Sequence, residues 1–169
     1  LQADGAHVGA LVGAARLLHA MGRVREALAA STRAVDLAPA SAPAWWVHAR
    51  VLTSLGEHDQ AAVAFRAAAV AGSGDVRPLV ELGAGLLRRG LSAESLEVLE
   101  EALQRDPACA EAWSQKGALL AARGATAESA VAFEQAVRHD PRQAEAWCGL
   151  AQALLALGRH HDAVQAGGR

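Results

Sequence analysis

The sequence contains no isoleucine, no tyrosine and no asparagine, and aromatic residues make up only 4% of its 169 residues. Isoleucine and the aromatic residues are common in strands, whereas the abundant alanine, leucine, glutamate and arginine favour helices. Hydrophobic residues nevertheless reach 52%, which is too many for a disordered chain. The composition therefore predicts an all-α protein with a packed core.

The sequence also lacks a large excess of one charge, a long apolar run and cysteines at metal-ligand spacing. The net charge is −2, so the sequence lacks the basic footprint of a nucleic-acid-binding protein. No apolar run approaches the roughly 20 residues that a membrane span requires. Two cysteines, Cys109 and Cys148, have no metal-ligand spacing and indicate neither a disulfide framework nor a zinc site.

What the sequence does contain is an internal repeat of 34 residues. The stretch "DPACAEAWSQKGALLAARG" at 106–124 returns as "DPRQAEAWCGLAQALLALG" at 140–158. The same spacing runs through the whole chain, and coordinated columns of this kind predict a repeat architecture. Five glycines fall on this spacing: Gly22, Gly56, Gly90, Gly124 and Gly158.

The spacing within one repeat predicts a helical hairpin. Trp113 and Gly117 lie four residues apart on one helix face, and Gly124 ends that helix because glycine tolerates a positive φ. A second helix is predicted over about 126–138, and an Asp-Pro pair stops it. Thr126 and Ser92 follow the turn glycines, and we expect such residues to act as N-caps.

The order of these columns resembles the tetratricopeptide repeat (TPR), whose signature is W-x2-L-G-x2-Y…A-x3-F…P. In one repeat the residues that carry the resemblance are Trp113, Gly117, Leu120, Ser129, Phe133 and Pro141. Leucine replaces the usual tyrosine throughout. His48 and Lys116 occupy a column that is usually apolar, so we expect their stems to pack while their heads reach solvent. The resemblance implies a right-handed α-solenoid of antiparallel helical hairpins, the TPR superhelix.

The resemblance also implies a domain organisation. We expect residues 1–7 to be the tail of a preceding repeat, followed by repeats at 8–41, 42–75, 76–109 and 110–143 and a partial fifth repeat at 144–169. Both ends are expected to be cut from a longer TPR array, which leaves the parent protein and the compartment open, with a cytoplasmic location favoured. The second repeat ends in "AGSGDVRP" instead of Asp-Pro, which predicts a looser joint at 72–75 with Pro78 in the first turn of the next helix.

Residues that could carry chemistry are scattered through the sequence. His160 and His161 precede Asp162 at a predicted turn, and a solvated turn is favoured because a zinc site needs three or four converging ligands. The glycines of "GAGLLRRG" follow no predicted strand, which argues against a dinucleotide-binding loop. No histidine recurs in a column beside either cysteine, which argues against a catalytic cysteine nucleophile. We therefore expect no enzymatic activity, no cofactor and no metal.

A binding surface is the stronger prediction. In TPR proteins the first helices of successive hairpins line a concave groove that commonly holds an extended peptide. The candidate groove residues are Arg16, His19, Trp46, Arg50, Arg77, Arg88, Glu111, Ser114, Gln115, Glu145, Cys148 and Gln152. Trp46 has the alternative of packing against an adjacent helix. Two groove chemistries of the family, the lysine–asparagine carboxylate clamp and the asparagine ladder, are excluded because the chain has no asparagine.

These features predict a non-catalytic scaffold or adaptor that binds a peptide segment of a protein partner. We expect an acidic portion of that segment to lie near Arg16, Arg50, Arg77 and Arg88. One alternative is the recruitment or regulatory arm of a larger enzyme, such as a glycosyltransferase. Another is RNA binding by a related helical repeat, which the acidic net charge disfavours. Uncovered apolar faces at the ends would also permit end-to-end self-association.

Overall fold

The computed structural model describes residues 2–168, with side chains described from residue 7 onward. Within this part the chain forms ten α-helices and no strand. The helices are α1 Gln2–Ala20, α2 Val24–Leu37, α3 Ala42–Leu55, α4 His58–Ala71, α5 Arg77–Arg88, α6 Ser92–Arg105, α7 Ala110–Ala122, α8 Thr126–His139, α9 Ala144–Ala156 and α10 His160–Gly167. The predicted all-α class of helical repeats is confirmed. None of the helices in the described part combines the length and apolar content that crossing a bilayer requires.

The chain divides into two compact units, residues 1–78 and 79–169. In the first unit α1 packs against α2 and α3, and α3 packs against α4. In the second unit α7 packs against α8 and α9, and α9 packs against α10. Of the predicted tail at 1–7, Leu1 and the side chains of residues 2–6 lie outside the described residues, as does Arg169. The repeat boundaries stay a prediction.

The glycine column forms the turn inside each hairpin. Its five glycines have φ between 74° and 81°, a region that residues with a Cβ rarely adopt. At Gly124 the amide donates to the carbonyl of Ala121 at 2.9 Å, and the next amide donates to Leu120 O at 2.9 Å. These two bonds satisfy carbonyls at the end of α7, and the positive φ explains why glycine occupies the column.

The prediction of N-caps at Thr126 and Ser92 is wrong. Both residues already belong to their helices, and the N-caps are Ala125 and Leu91, neither of which makes a side-chain capping bond. Ala125 has φ −81° and ψ 63°, outside the extended region that a capping side chain needs. The turn leaves a single residue between the glycine and the helix, and in these two repeats that residue is apolar. Ser41, before α3, has an extended backbone and does accept from the Ala44 amide, at 3.4 Å.

The tryptophan column ties a first helix to the joint before it. The indole Nε1 of each tryptophan donates to the carbonyl of the proline six residues earlier, at 2.8 to 2.9 Å. The pairs are Trp45 with Pro39, Trp113 with Pro107, and Trp147 with Pro141. Leucine, which occupies the column in the other two repeats, has no donor, so the tryptophans occur only in the repeats that follow a proline joint.

The joint at 72–75 differs from those joints. It has neither proline nor tryptophan, and its backbone turns through Ser73 at φ 42° and Gly74 at φ 104°. The Asp75 carboxylate accepts from the Arg77 amide at 3.0 Å. Pro78 then lies in the first turn of α5, as predicted. The expected looseness of this joint stays a prediction.

The small-residue columns bring paired helices close together in the second unit. Ser129 Oγ donates to the Gly117 carbonyl at 2.9 Å, and Ser95 Oγ donates to the Gly83 carbonyl at 2.8 Å. Both serines are fully buried. A Cβ added at Gly117 would lie 2.9 Å from the ring of Phe133, so this aromatic ring requires glycine on the facing helix.

Candidate functional site

The second unit contains an open groove of about 610 Å³ formed by α7, α9 and part of α8. Its lining includes five of the twelve residues predicted to face a partner. These are Ser114, Gln115, Glu145, Cys148 and Gln152. The 34-residue register places them on equivalent faces of two helices that pack side by side. The structure thus brings together the α7 and α9 members of the predicted set, with the exception of Glu111, which does not line the groove.

Phe133 forms the floor of this groove and is only 5% exposed. Its ring lies against Gly117 of α7 on one side and Gly149 of α9 on the other. A Cβ added at Gly149 would overlap the end of the ring. Two glycines therefore accommodate one aromatic ring, which occupies the space that a side chain at Gly149 would need.

Sequence reasoning missed Gly149 as a functional position and treated Phe133 as core alone. The available signal is the set of residues that share the repeat column of Gly149. Where Gly149 stands, the other repeats carry Gly13, Val47, Glu81 and Gln115, so glycine occupies this column in the first and fifth repeats only. Its importance depends on Phe133, which lies on a different helix.

The polar groups of the groove are short of partners. The Oε1 atom of Gln115 is buried and accepts no hydrogen bond from the described residues. Glu145 is exposed and forms no ion pair within the described part of the chain.

The two cysteines occupy different surroundings. Cys148 is exposed in the groove lining, and Cys109 is half-buried in a joint. Burial is the main cause that raises the pKa of the Cys109 thiol, which lowers its thiolate fraction. Both cysteines are free thiols. Among the residues with described positions, no three histidine, cysteine or acidic side chains come close enough to hold a metal ion.

The first unit presents a different surface on its first helices. Arg16 and Arg50 are exposed on α1 and α3. His19 on α1 and Ser54 on α3 are joined by a 2.7 Å hydrogen bond between Nε2 and Oγ. Side chains therefore bridge these two helices, where the equivalent helices of the second unit leave a groove.

Trp46 is half-buried beneath a cation. The guanidinium of Arg77 lies 4.8 Å from the centre of the indole ring, a cation–π distance. The same guanidinium forms an ion pair with Asp75 at 2.7 Å, and the hydrogen bond from Arg77 is the main cause that lowers the pKa of Asp75. Both Trp46 and Arg77 are therefore engaged within the first unit. Arg88, at the end of α5, is exposed and does not line the groove of the second unit.

A polar pair replaces the aromatic ring in the first repeat. Ser31 stands in the column of Phe133, and its hydroxyl donates to the Leu28 carbonyl, so it accepts from His48 Nδ1 at 3.0 Å. Burial is the main cause that lowers the pKa of His48, and the charge of Asp36 opposes this shift. The His48 side chain is half-buried and its head is hydrogen-bonded to Ser31, so it is only partly exposed to solvent.

Lys116, in the same column as His48, behaves differently. Its Nζ pairs with Glu100 at 2.8 Å, and its side chain is 20% exposed. The ammonium also lies 5.7 Å from the centre of the Trp113 ring. The stem therefore packs as predicted, and the charged head reaches a carboxylate at the surface.

Comparison with known proteins gives a consistent result. Family models described as tetratricopeptide repeat match residues 12–76, 80–133 and 132–165. Comparison with curated protein sequences gave no match. Among solved structures, PilF of Pseudomonas aeruginosa superposes with a TM-score of 0.81 at 21% identity, covering 97% of this chain and 75% of PilF.

Two further structures superpose over nearly the whole chain. YrrB, described as a TPR protein with an unusual peptide-binding site, has a TM-score of 0.66 at 23% identity and covers 92% of this chain and 80% of its own. MamA of Desulfovibrio magneticus RS-1 has a TM-score of 0.73 at 19% identity, covering 95% of this chain and 90% of its own. Identities this low establish a shared fold alone.

Proposed function

Because the chain belongs to the tetratricopeptide repeat family, whose members are in general non-catalytic interaction scaffolds, we propose that it binds an extended segment of a partner protein in the groove of its second unit. The observation that supports this proposal is the meeting of five predicted residues from α7 and α9 in one open groove. Its volume of about 610 Å³ falls within the usual range for ligand sites.

The lining suits a peptide better than a small polar metabolite. Phe133, Ala118 and Ala153 provide apolar surface on three helices. Gln115 and Gln152 add side-chain amides, each of which has an acceptor oxygen and a donor nitrogen. An extended backbone offers the complementary N–H and C=O groups at regular intervals, while its side chains cover the apolar floor.

Filling the groove tests the proposal. Ala118 is exposed in the groove lining, so Ala118→Trp should block it without disturbing the core. Val131, on α8, is 55% exposed and lies outside the lining, which makes Val131→Trp the matched control. Partners captured from an extract of the source cells should be lost from Ala118→Trp and retained by the control. Capture of the same set of partners by both variants would show that the groove is not the binding site.

The first unit is a second candidate surface within the same function. We place an acidic portion of a partner near Arg16 and Arg50, which are exposed on α1 and α3. Arg77 is a weaker member of the predicted set because Asp75 already neutralises it. Arg50→Glu and Trp46→Ala test this surface in the same capture experiment. If every partner survives both substitutions, the first unit does not contribute.

Self-association is supported by one observation only. Val164 of α10 is 75% exposed, and helical repeats associate by stacking apolar faces. Sedimentation velocity over a hundredfold concentration range would detect a dimer. Val164→Glu should then abolish it, and a monomer at every concentration would exclude this behaviour.

A further inference from the structure

The groove of the second unit has an uncompensated negative charge. Its lining contains one charged residue, Glu145, and no lysine or arginine. Glu145 lies in the first turn of α9, and Glu111 occupies the same position in α7. Both carboxylates are exposed, and neither forms an ion pair with any described residue. The helix-start end of this pair of helices is therefore acidic.

Helix stability alone does not account for these two glutamates. A carboxylate in the first turn is favourable, because it interacts with the positive end of the helix dipole. The same column holds Gly9, Pro43 and Arg77 in the other three repeats, however, and those helices form without an acid there. The acidic pair is thus a property of this part of the chain.

The unpaired oxygen of Gln115 defines a second requirement. Gln115 lies one helical turn after Glu111, and a donor that enters the groove is one group that can satisfy its Oε1. A peptide N–H or a cationic side chain is such a donor. Beside it, Phe133 and Gly149 provide apolar surface in the groove lining. Acceptors, negative charge and an apolar floor therefore occur together.

On the premise that this groove binds a partner segment, we infer that the segment is basic, with a lysine or arginine next to apolar residues. The cation lies against Glu145 and Glu111, the neighbouring apolar side chain covers Phe133, and a backbone or side-chain N–H donates to Gln115 Oε1. Charge complementarity selects this occupant, since an acidic segment would meet two like charges.

The test starts from a displayed library of random heptapeptides. It is selected on the wild-type chain and counter-selected on Ala118→Trp, so that only groove binders remain. Lysine and arginine should outnumber aspartate and glutamate in the selected peptides. A selected peptide, fluorescently labelled, should bind Glu145→Gln about threefold more weakly, as for a solvent-exposed ion pair, and this difference should shrink in high salt.

Matched variants separate recognition from structure. Glu128 is exposed on α8 outside the lining, so Glu128→Gln should leave the peptide affinity unchanged. Gln143 also has a buried, unpaired Oε1 but lies outside the groove, so Gln115→Met should weaken peptide binding several-fold while Gln143→Met should not. Equal effects of the two methionine substitutions would mean that Gln115 does not contact the peptide.

The outcomes distinguish this inference from the proposed function. Selection of acidic or uncharged peptides that still require the open groove would overturn the basic-segment inference and leave the groove as the binding site. Recovery of no peptide that discriminates wild type from Ala118→Trp would overturn both. Basic peptides with a Glu145-dependent affinity would support both.

Discussion

Arg16 and Arg50 of the first unit occupy the repeat column that holds Ala118 and Gln152 in the second. The 34-residue register puts all four on the same face of equivalent helices, so the fold does not dictate the difference. In the second unit the shorter side chains leave a groove, whereas His19 and Ser54 bridge the helices of the first. One backbone template therefore carries two surfaces of opposite charge.

The difference extends below the surface. In the second unit Phe133 lies between Gly117 and Gly149, and its ring becomes the groove floor. In the first unit the same column holds Ser31 and Phe65, and Ser31 forms a hydrogen bond with His48 of the next hairpin. The comparison teaches that the groove depends on one aromatic residue and two glycines rather than on the repeat template.

The largest effect should come from removing the groove floor. Phe133→Ala deletes a ring that is 5% exposed and should lower the free energy of unfolding by about 3–5 kcal/mol. Phe133→Leu restores the residue found at Leu99 and should cost less than about 1.5 kcal/mol. Urea unfolding followed by circular dichroism measures both. A loss below about 1 kcal/mol for Phe133→Ala would mean that the ring is not a principal support of this unit.

Gly13 and Gly149 share a different repeat column, and we expect alanine substitutions there to change the stability in opposite directions. A Cβ at Gly149 would overlap the Phe133 ring, so Gly149→Ala should destabilise the chain by about 1–3 kcal/mol. At Gly13, in the same column, a Cβ would meet nothing within 4 Å. Gly13→Ala should therefore stabilise helix α1 by about 0.5–1 kcal/mol. The same direction of change for both variants in urea unfolding would contradict the proposed role of Phe133.

The buried serines provide a smaller test. Ser129→Ala removes the bond to the Gly117 carbonyl and copies Ala27 and Ala61 of the first unit, and should cost about 0.5–1.5 kcal/mol. Ser92 makes no capping bond, so Ser92→Ala should leave the melting temperature nearly unchanged. Differential scanning calorimetry compares the two. A larger loss for Ser92→Ala would restore its predicted role as an N-cap.

The smallest effect concerns pH. Burial lowers the pKa of His48 in the folded state, so the folded chain binds fewer protons at this site than the unfolded chain does. The stabilising contribution is therefore complete above the unfolded pKa of about 6.5 and is lost as pH falls towards the folded pKa. His48→Leu, which copies Leu82, should flatten the pH dependence of unfolding below pH 6.5. An unchanged slope in this variant would assign the dependence to other groups.

Much of the fold was predictable because it rests on local constraints. Gly124 ends a helix because only glycine adopts its φ of 76° without strain, and Asp-Pro joints stop helices because proline has no amide hydrogen. These requirements act on residues that are close in sequence. The N-caps were mispredicted for the same local reason, since the turn leaves only Ala125 between Gly124 and α8.

The sequence by itself determined the helical hairpins, their 34-residue register and the helix faces that could meet a partner. Only the tertiary structure decided what those faces became. Gly149 matters because Phe133, 16 residues earlier, packs between two helices, and Arg77 is neutralised because it reaches Asp75 and Trp46. Periodicity specifies which residues share a face, because helix geometry is regular. It does not specify which side chains fill the space between helices, since that depends on the volumes and charges of residues distant in sequence.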